Sequence, residues 1–202
     1  MARAPRRRSP PATGAQADLF VAPATDRRAD PAPSDTALQV MLRGLPPVLD
    51  ANTRILLLGT FPGVASLVQS QYYAHPRNQF WRLLGACLND PDLPTMPYAD
   101  RLRATAAHGV GLWDVVAECR REGSLDAAIT EASVNPLATY LRESAPRLAR
   151  IGFNGALSWK HGQHLGEQGY QVFKLPSSSP AAASLSFDQK LAAWRPLFIG
   201  AL

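Results

Sequence analysis

The sequence predicts an α/β protein, a three-layer α/β/α sandwich around a mostly parallel central sheet. Two patterns predict it. Short apolar runs ending in turn-forming residues recur from residue 54 onward, and longer stretches with helical periodicity separate them. Parallel neighbours need long crossovers of that kind, whereas hairpins need only a few residues. A third observation concerns placement. The residues that carry chemistry follow the apolar runs, at the carboxyl ends of the expected strands, where open α/β sheets bind their ligands.

Residues 1–35 are expected to be a disordered arm, and 36–202 the folded domain. The arm is rich in Pro and Ala, lacks periodicity, and sets six arginines against four aspartates. Its charge suits loose association with a polyanion, and its composition equally suits a dispensable extension. The run Arg54-Ile55-Leu56-Leu57-Leu58 stops at Gly59 and reads as a strand buried on both faces. Phe80, Leu83, Leu84 and Cys87 recur at i, i+3, i+4 and i+7, an amphipathic helix. Further strands are expected at Val110–Trp113, Ala149–Phe153 and Tyr170–Phe173. A closing helix spans Phe187–Phe198, with Pro196 set to end or kink it.

Composition narrows the partners. The formal charge of +5 favours a polyanion such as nucleic acid, because clustered Lys and Arg displace counterions from phosphates. No apolar run reaches the ~18 residues a membrane span requires. The basic start (Arg3, Arg6, Arg7, Arg8) is followed by Pro10, Pro11, Gly14 and Asp18 where a signal peptide needs apolar residues. A soluble, cytoplasmic protein with no membrane partner is therefore expected. Two cysteines, Cys87 and Cys119, are too few for a four-cysteine zinc or iron–sulfur site. His161 and His164 lack a carboxylate pattern and read as an exposed face. The expected chemistry uses no metal and no cofactor.

Two clusters stand out. Gly59-Thr60-Phe61-Pro62-Gly63 follows the first strand; its glycines allow a sharp turn and close approach to a ligand. Neither a Walker lysine nor a dinucleotide fingerprint accompanies it, and alone it reads as a tight turn. Tyr72-Tyr73-Ala74-His75-Pro76-Arg77-Asn78-Gln79-Phe80-Trp81 gathers four aromatics, a histidine, an arginine and an amide. Tyr73 offers a flat face for a nucleobase, a contact worth about 1–3 kcal/mol. Asn78 either caps the following helix or presents its amide to substrate and water.

These two clusters resemble the opening of the hypoxanthine-DNA glycosylases, the deoxyinosine branch of the uracil-DNA glycosylase superfamily. Gly111-Leu112-Trp113-Asp114-Val115, Gly123-Ser124-Leu125-Asp126, Phe153-Asn154-Gly155 and Leu175-Pro176-Ser177-Ser178-Ser179-Pro180 match the same family in order. Ser186-Phe187-Asp188-Gln189-Lys190-Leu191 with Trp194 extends the likeness, which spans roughly residues 54–195.

The resemblance implies a uracil-DNA glycosylase-like sandwich acting on double-stranded DNA that contains a deaminated base, as a monomer. Relatives in the mismatch-specific uracil branch carry a catalytic Asn in the Gly-x-x-Pro-Gly turn, where this chain has Phe61. The resemblance therefore assigns the water-orienting role to Asn78, and base stacking to Tyr73. It implies a base pocket of Gly59, Thr60, Phe61, Pro62, Gly63, Tyr73, Trp113, Asp114 and Asn154. DNA contacts fall to His75, Arg77, Ser177, Ser178 and Ser179, although the family more often carries Thr at 178 and His or Asn at 182, here Ala182.

Asn154 reads equally well as a residue of a strand-end turn, and Asp114 as a structural acid beside Trp113. With no lysine at the matched positions, hydrolysis rather than an imine-forming lyase reaction is expected, leaving an abasic site. A uracil or mismatch glycosylase is the alternative within the fold. Outside it stand a non-catalytic binder of damaged DNA and an enzyme of free nucleosides.

Overall fold

The computed structural model describes residues 40–201; the expected arm at 1–35 lies outside them. The elements are β1 (Leu42–Arg43), β2 (Ile55–Gly59), α1 (Val64–Gln69), α2 (Phe80–Leu88), α3 (Tyr98–Ala107), β3 (Val110–Asp114) and β4 (Val116–Arg120). There follow β5 (Thr130–Val134), α4 (Leu137–Ser144), β6 (Arg150–Asn154), α5 (Ala156–Gly162), β7 (Gln171–Leu175) and α6 (Phe187–Trp194).

The central sheet has the order β3-β2-β6-β7 and every pairing in it is parallel. Strand β2 is buried along its whole length, and its alternation divides the core in two. Ile55 and Leu57 pack with Phe80, Leu83 and Leu84 of α2, Val110, and Trp194 of α6. Leu56 and Leu58 point the other way, to Trp113, Leu141 of α4, Ile151 and Leu165. Helices thus cover both faces, the expected α/β/α arrangement. Gly152 lets β6 pack closely against its neighbours: a Cβ there would lie 2.5 Å from Leu197 and 2.8 Å from Leu175.

The four expected strands of the central sheet are present, each within a residue or two of its expected ends. The closing helix is shorter than expected. Its N-terminus carries a capping box between Ser186 and Gln189, and it gives way after Trp194 to a 3-10 turn, Arg195–Leu197, containing Pro196. A second sheet, β1-β4-β5, is antiparallel and has no counterpart in the sequence reading. Its last strand, Thr130–Val134, is exposed at every residue and so has no apolar alternation to betray it. Cys87 and Cys119 are buried free thiols. Among the described residues no helix is long and apolar enough to cross a membrane.

Candidate active site

A cavity of about 430 Å³ opens beyond the carboxyl ends of β2, β3, β6 and β7. It is lined by the turn 59–63, by Asp114 at the end of β3, by residues of the segment 73–78 and by the serine loop 177–179. The topology dictates this meeting, because parallel strands deliver all four of their following loops to one edge.

The expected residues are brought together with one exception. Trp113 is buried 4.8 Å from the ring of Tyr140, in the core beneath α4, and does not line the cavity. Successive residues of a strand face opposite ways, so placing Asp114 in the cavity turns Trp113 from it. The remaining residues assigned to the site all reach the cavity wall.

Asn78 sits just ahead of α2, and its Oδ1 accepts a hydrogen bond from the Phe80 N–H at 3.0 Å. The contact fixes the direction of the amide, so the expected cap and a place in the cavity coexist. Tyr73 has a positive φ of 55° and lies flat on Phe80, ring centroids 3.6 Å apart. One face of its ring is thereby covered, while its residue still lines the cavity. His75 Nδ1 accepts from the Arg77 N–H at 3.2 Å, shaping the short turn between them.

Asn154 is not itself the left-handed residue at the end of β6; Gly155 is, with φ 116°. The Asn154 amide instead grips the serine loop. It donates to Ser178 Oγ at 2.9 Å and accepts from the Ser178 N–H at 2.8 Å. The Gln79 N–H donates to the Ser178 carbonyl at 3.0 Å, tying the same loop to the start of α2. Ser178 is fully buried, so its hydroxyl holds the loop and is not available to a phosphate. Ser177 and Ser179 are half-buried and stay on the cavity wall.

Three contributors were not assigned a role from sequence: Arg121, Ser124 and Asp126. Arg121 donates to the carbonyls of Pro62 at 2.6 Å and Gly123 at 2.9 Å, and its guanidinium stands 5.0 Å from the centre of the Phe61 ring. Phe61 is buried beneath it. Ser124 Oγ accepts from the Val64 N–H at 2.9 Å, and Asp126 lines the cavity wall. The family match over Gly123–Asp126 marked the segment. The arginine carried no signal, because nothing in its spacing says that its guanidinium turns inward.

The electrostatics follow from enclosure. Burial, with the like charge of Asp126 adding to it and Arg121 opposing it, pushes the Asp114 carboxyl up to about 7. Loss of solvent around the Asp126 carboxyl raises it as well, against the Thr60 hydroxyl and Arg121. Burial lowers the Arg121 guanidinium below its ordinary value and raises the Tyr73 hydroxyl.

Residues 46–198 match the sequence model of the uracil DNA glycosylase superfamily. The chain is 39% identical over 156 residues to the hypoxanthine DNA glycosylase of Methanosarcina barkeri, a match covering 77% of this chain and 97% of that one. It is 38% identical, with the same coverage, to the hypoxanthine DNA glycosylase of Methanosarcina acetivorans. The G/U mismatch-specific uracil DNA glycosylase of Schizosaccharomyces pombe is 27% identical over 118 residues, 53% of this chain and 32% of that one. In three dimensions the chain is similar to a candidate uracil DNA glycosylase of M. acetivorans solved by NMR, with a TM-score of 0.69, 38% identity, and coverage of 78% and 99%. A match over nearly all of the described fold, joined to a cavity at the carboxyl edge of its sheet, establishes that the chain belongs to the uracil DNA glycosylase superfamily.

Proposed function

We propose that the chain is a monofunctional DNA glycosylase that excises hypoxanthine, the deaminated form of adenine, from double-stranded DNA by hydrolysis and leaves an abasic site. The observation that carries this reading is the oriented amide of Asn78 on the cavity wall, with Phe61 buried where the mismatch-specific branch carries its catalytic amide. The names of the two Methanosarcina relatives point to the same substrate.

The target nucleotide must leave the helix to enter such a cavity, at a cost of a few kcal/mol that a poorly paired base reduces. An amide is a feeble base, so the glycosidic bond breaks first and the sugar becomes an oxocarbenium-like cation. Asn78 holds water against C1′ with an amide that both accepts and donates. Among the described residues that line the cavity there is no lysine, which fits hydrolysis rather than imine formation. Ser177, Ser179, His75 and Arg77 stand at the wall where the DNA backbone would approach. The protein is proposed to act as a monomer in the cytoplasm, nucleoid-associated in a bacterium.

The experiment is alkali-revealed strand cleavage of labelled duplexes with one hypoxanthine or one uracil, using native protein and Asn78→Ala. Cleavage at hypoxanthine that falls sharply in the variant is expected. Stronger cleavage at uracil would reassign the substrate. Binding to the lesion without cleavage would make the protein a damage binder.

A further inference from the structure

Among the described residues five buried side-chain polar atoms have no partner at hydrogen-bonding geometry. Three belong to residues lining this one cavity: Thr60 Oγ1, Tyr73 OH and Asp114 Oδ2. Buried polar atoms are ordinarily satisfied, and an unsatisfied one costs about 1–3 kcal/mol. Thr60 stands beside Asp126 and Tyr73 beside Asn154, each close enough to act on its neighbour, which leaves Asp114 Oδ2 as the polar atom most in need of a partner from the cavity.

The backbone leaves room for this arrangement. A Cβ on Gly59 would lie 2.3 Å from Asp114 Oδ1 and 3.1 Å from the Tyr73 hydroxyl. The acid and the phenol therefore converge over the one residue that leaves them room. Arg121 is the cation that acts on Asp114: its Nη2 and Nε donate to the Pro62 and Gly123 carbonyls, its Nη1 has no partner, and burial outweighs its pull on the carboxyl. Asp126 faces it with the same sign, the phenols of Tyr72 and Tyr73 feel its charge, and His75 and Arg77 lie along the cavity wall.

We propose that Asp114 is the acid of the reaction: its protonated carboxyl, beside the Tyr73 hydroxyl, donates to a ring acceptor of the departing base. This rests on the glycosylase reading. As the glycosidic bond breaks, its electron pair passes to the base, and the Asp114 proton moves to a ring nitrogen, leaving Asp114 as a carboxylate. Water held by Asn78 forms the new C1′–O bond and loses its own proton, which passes directly or through solvent to the Asp114 carboxylate and restores the acid. A carboxyl held at about 7 by burial is protonated on about half of the molecules at neutral pH and remains acidic enough to give its proton up.

The test is the single-turnover rate of base excision from a hypoxanthine duplex between about pH 5.5 and 9 for native protein, Asp114→Asn and Asp126→Asn. In native protein the rate should hold below about pH 7 and fall about tenfold per unit above it. Asp114→Asn should lower the plateau about 10²–10⁴-fold and remove the fall, with lesion binding retained and no drop in the melting temperature. Asp126→Asn withdraws the like charge and should move the fall to lower pH, which a purely structural Asp114 would not allow. A native rate flat or rising across this range, or Asp114→Asn with the native rate and profile, overturns the proposal. Native protein that binds the lesion and cleaves neither hypoxanthine nor uracil overturns the glycosylase reading itself, and the acid role with it.

Discussion

Asn154 and Ser178 hold each other by two hydrogen bonds, side chain to side chain at 2.9 Å and backbone N–H to side chain at 2.8 Å. One amide thus spans from the end of β6 to the loop after β7 and closes one wall of the cavity. The pairing gives the buried Ser178 hydroxyl a structural role in the cavity wall.

Removing either partner should therefore act on the loop before it acts on chemistry. Asn154→Ala leaves a buried hydroxyl and N–H unpaired and is expected to lower stability by about 1–3 kcal/mol. Ser178→Ala loses one bond and should cost less. A double-mutant cycle by urea denaturation is expected to show coupling of about 0.5–3 kcal/mol; strict additivity would mean that the bond between the Asn154 amide and Ser178 Oγ is not made in solution.

Arg121 ties the turn 59–63 to the loop beside it. Arg121→Lys keeps the charge but has no planar fork to reach the Pro62 and Gly123 carbonyls together while covering Phe61. It is expected to resemble Arg121→Ala, with loss of excision activity beyond any loss of fold as followed by circular dichroism. Full activity in the lysine variant would show that charge alone is what the site needs.

Gly59→Ala places a methyl carbon 2.3 Å from Asp114 Oδ1, so the acid must move. Excision is expected to fall as far as in Asp114→Asn, with a lowered melting temperature as well. A variant with native rate would mean that the Asp114 carboxyl can leave its place over Gly59 without consequence.

Stability and activity should part company at Asp114. Its carboxyl is raised from 3.8 to about 7 in the fold, so the native state holds its proton more tightly than the unfolded chain. Folding stability then falls as pH rises between those two values and levels off above them. Asp114→Asn removes that penalty. It should be the more stable protein at pH 8 by urea denaturation, by a few kcal/mol, and should lose the advantage near pH 4. Equal stability at both pH values would show that Asp114 is no more burdened in the fold than outside it.

Much of this architecture was legible because burial leaves a pattern. The unbroken apolar run at 55–58 and the spacing of Phe80, Leu83, Leu84 and Cys87 gave the sheet and its covering helix directly. Strand β5 was invisible for the opposite reason: every residue of it faces solvent and it is held by backbone pairing to β4. At the site, the residues at strand ends could be collected by topology alone. Which way each side chain turned could not, so Trp113 was grouped with Asp114 although strand alternation sends it into the core. Arg121 escaped notice because a guanidinium buried on two carbonyls looks, in sequence, like any surface arginine.

Helix α6 lies far along the chain from the residues it serves. Lys190 Nζ donates to Gln79 Oε1 at 3.0 Å, next to Asn78, and Trp194 Nε1 donates to the Pro176 carbonyl at 3.0 Å, next to Ser177. During synthesis every strand of the central sheet is therefore made before the two segments that frame the cavity acquire their braces. A nascent chain paused at Leu175 would possess the whole sheet and an unfinished site. The two braces that hold the framing segments thus come from the last helix, which follows every strand of the sheet along the chain.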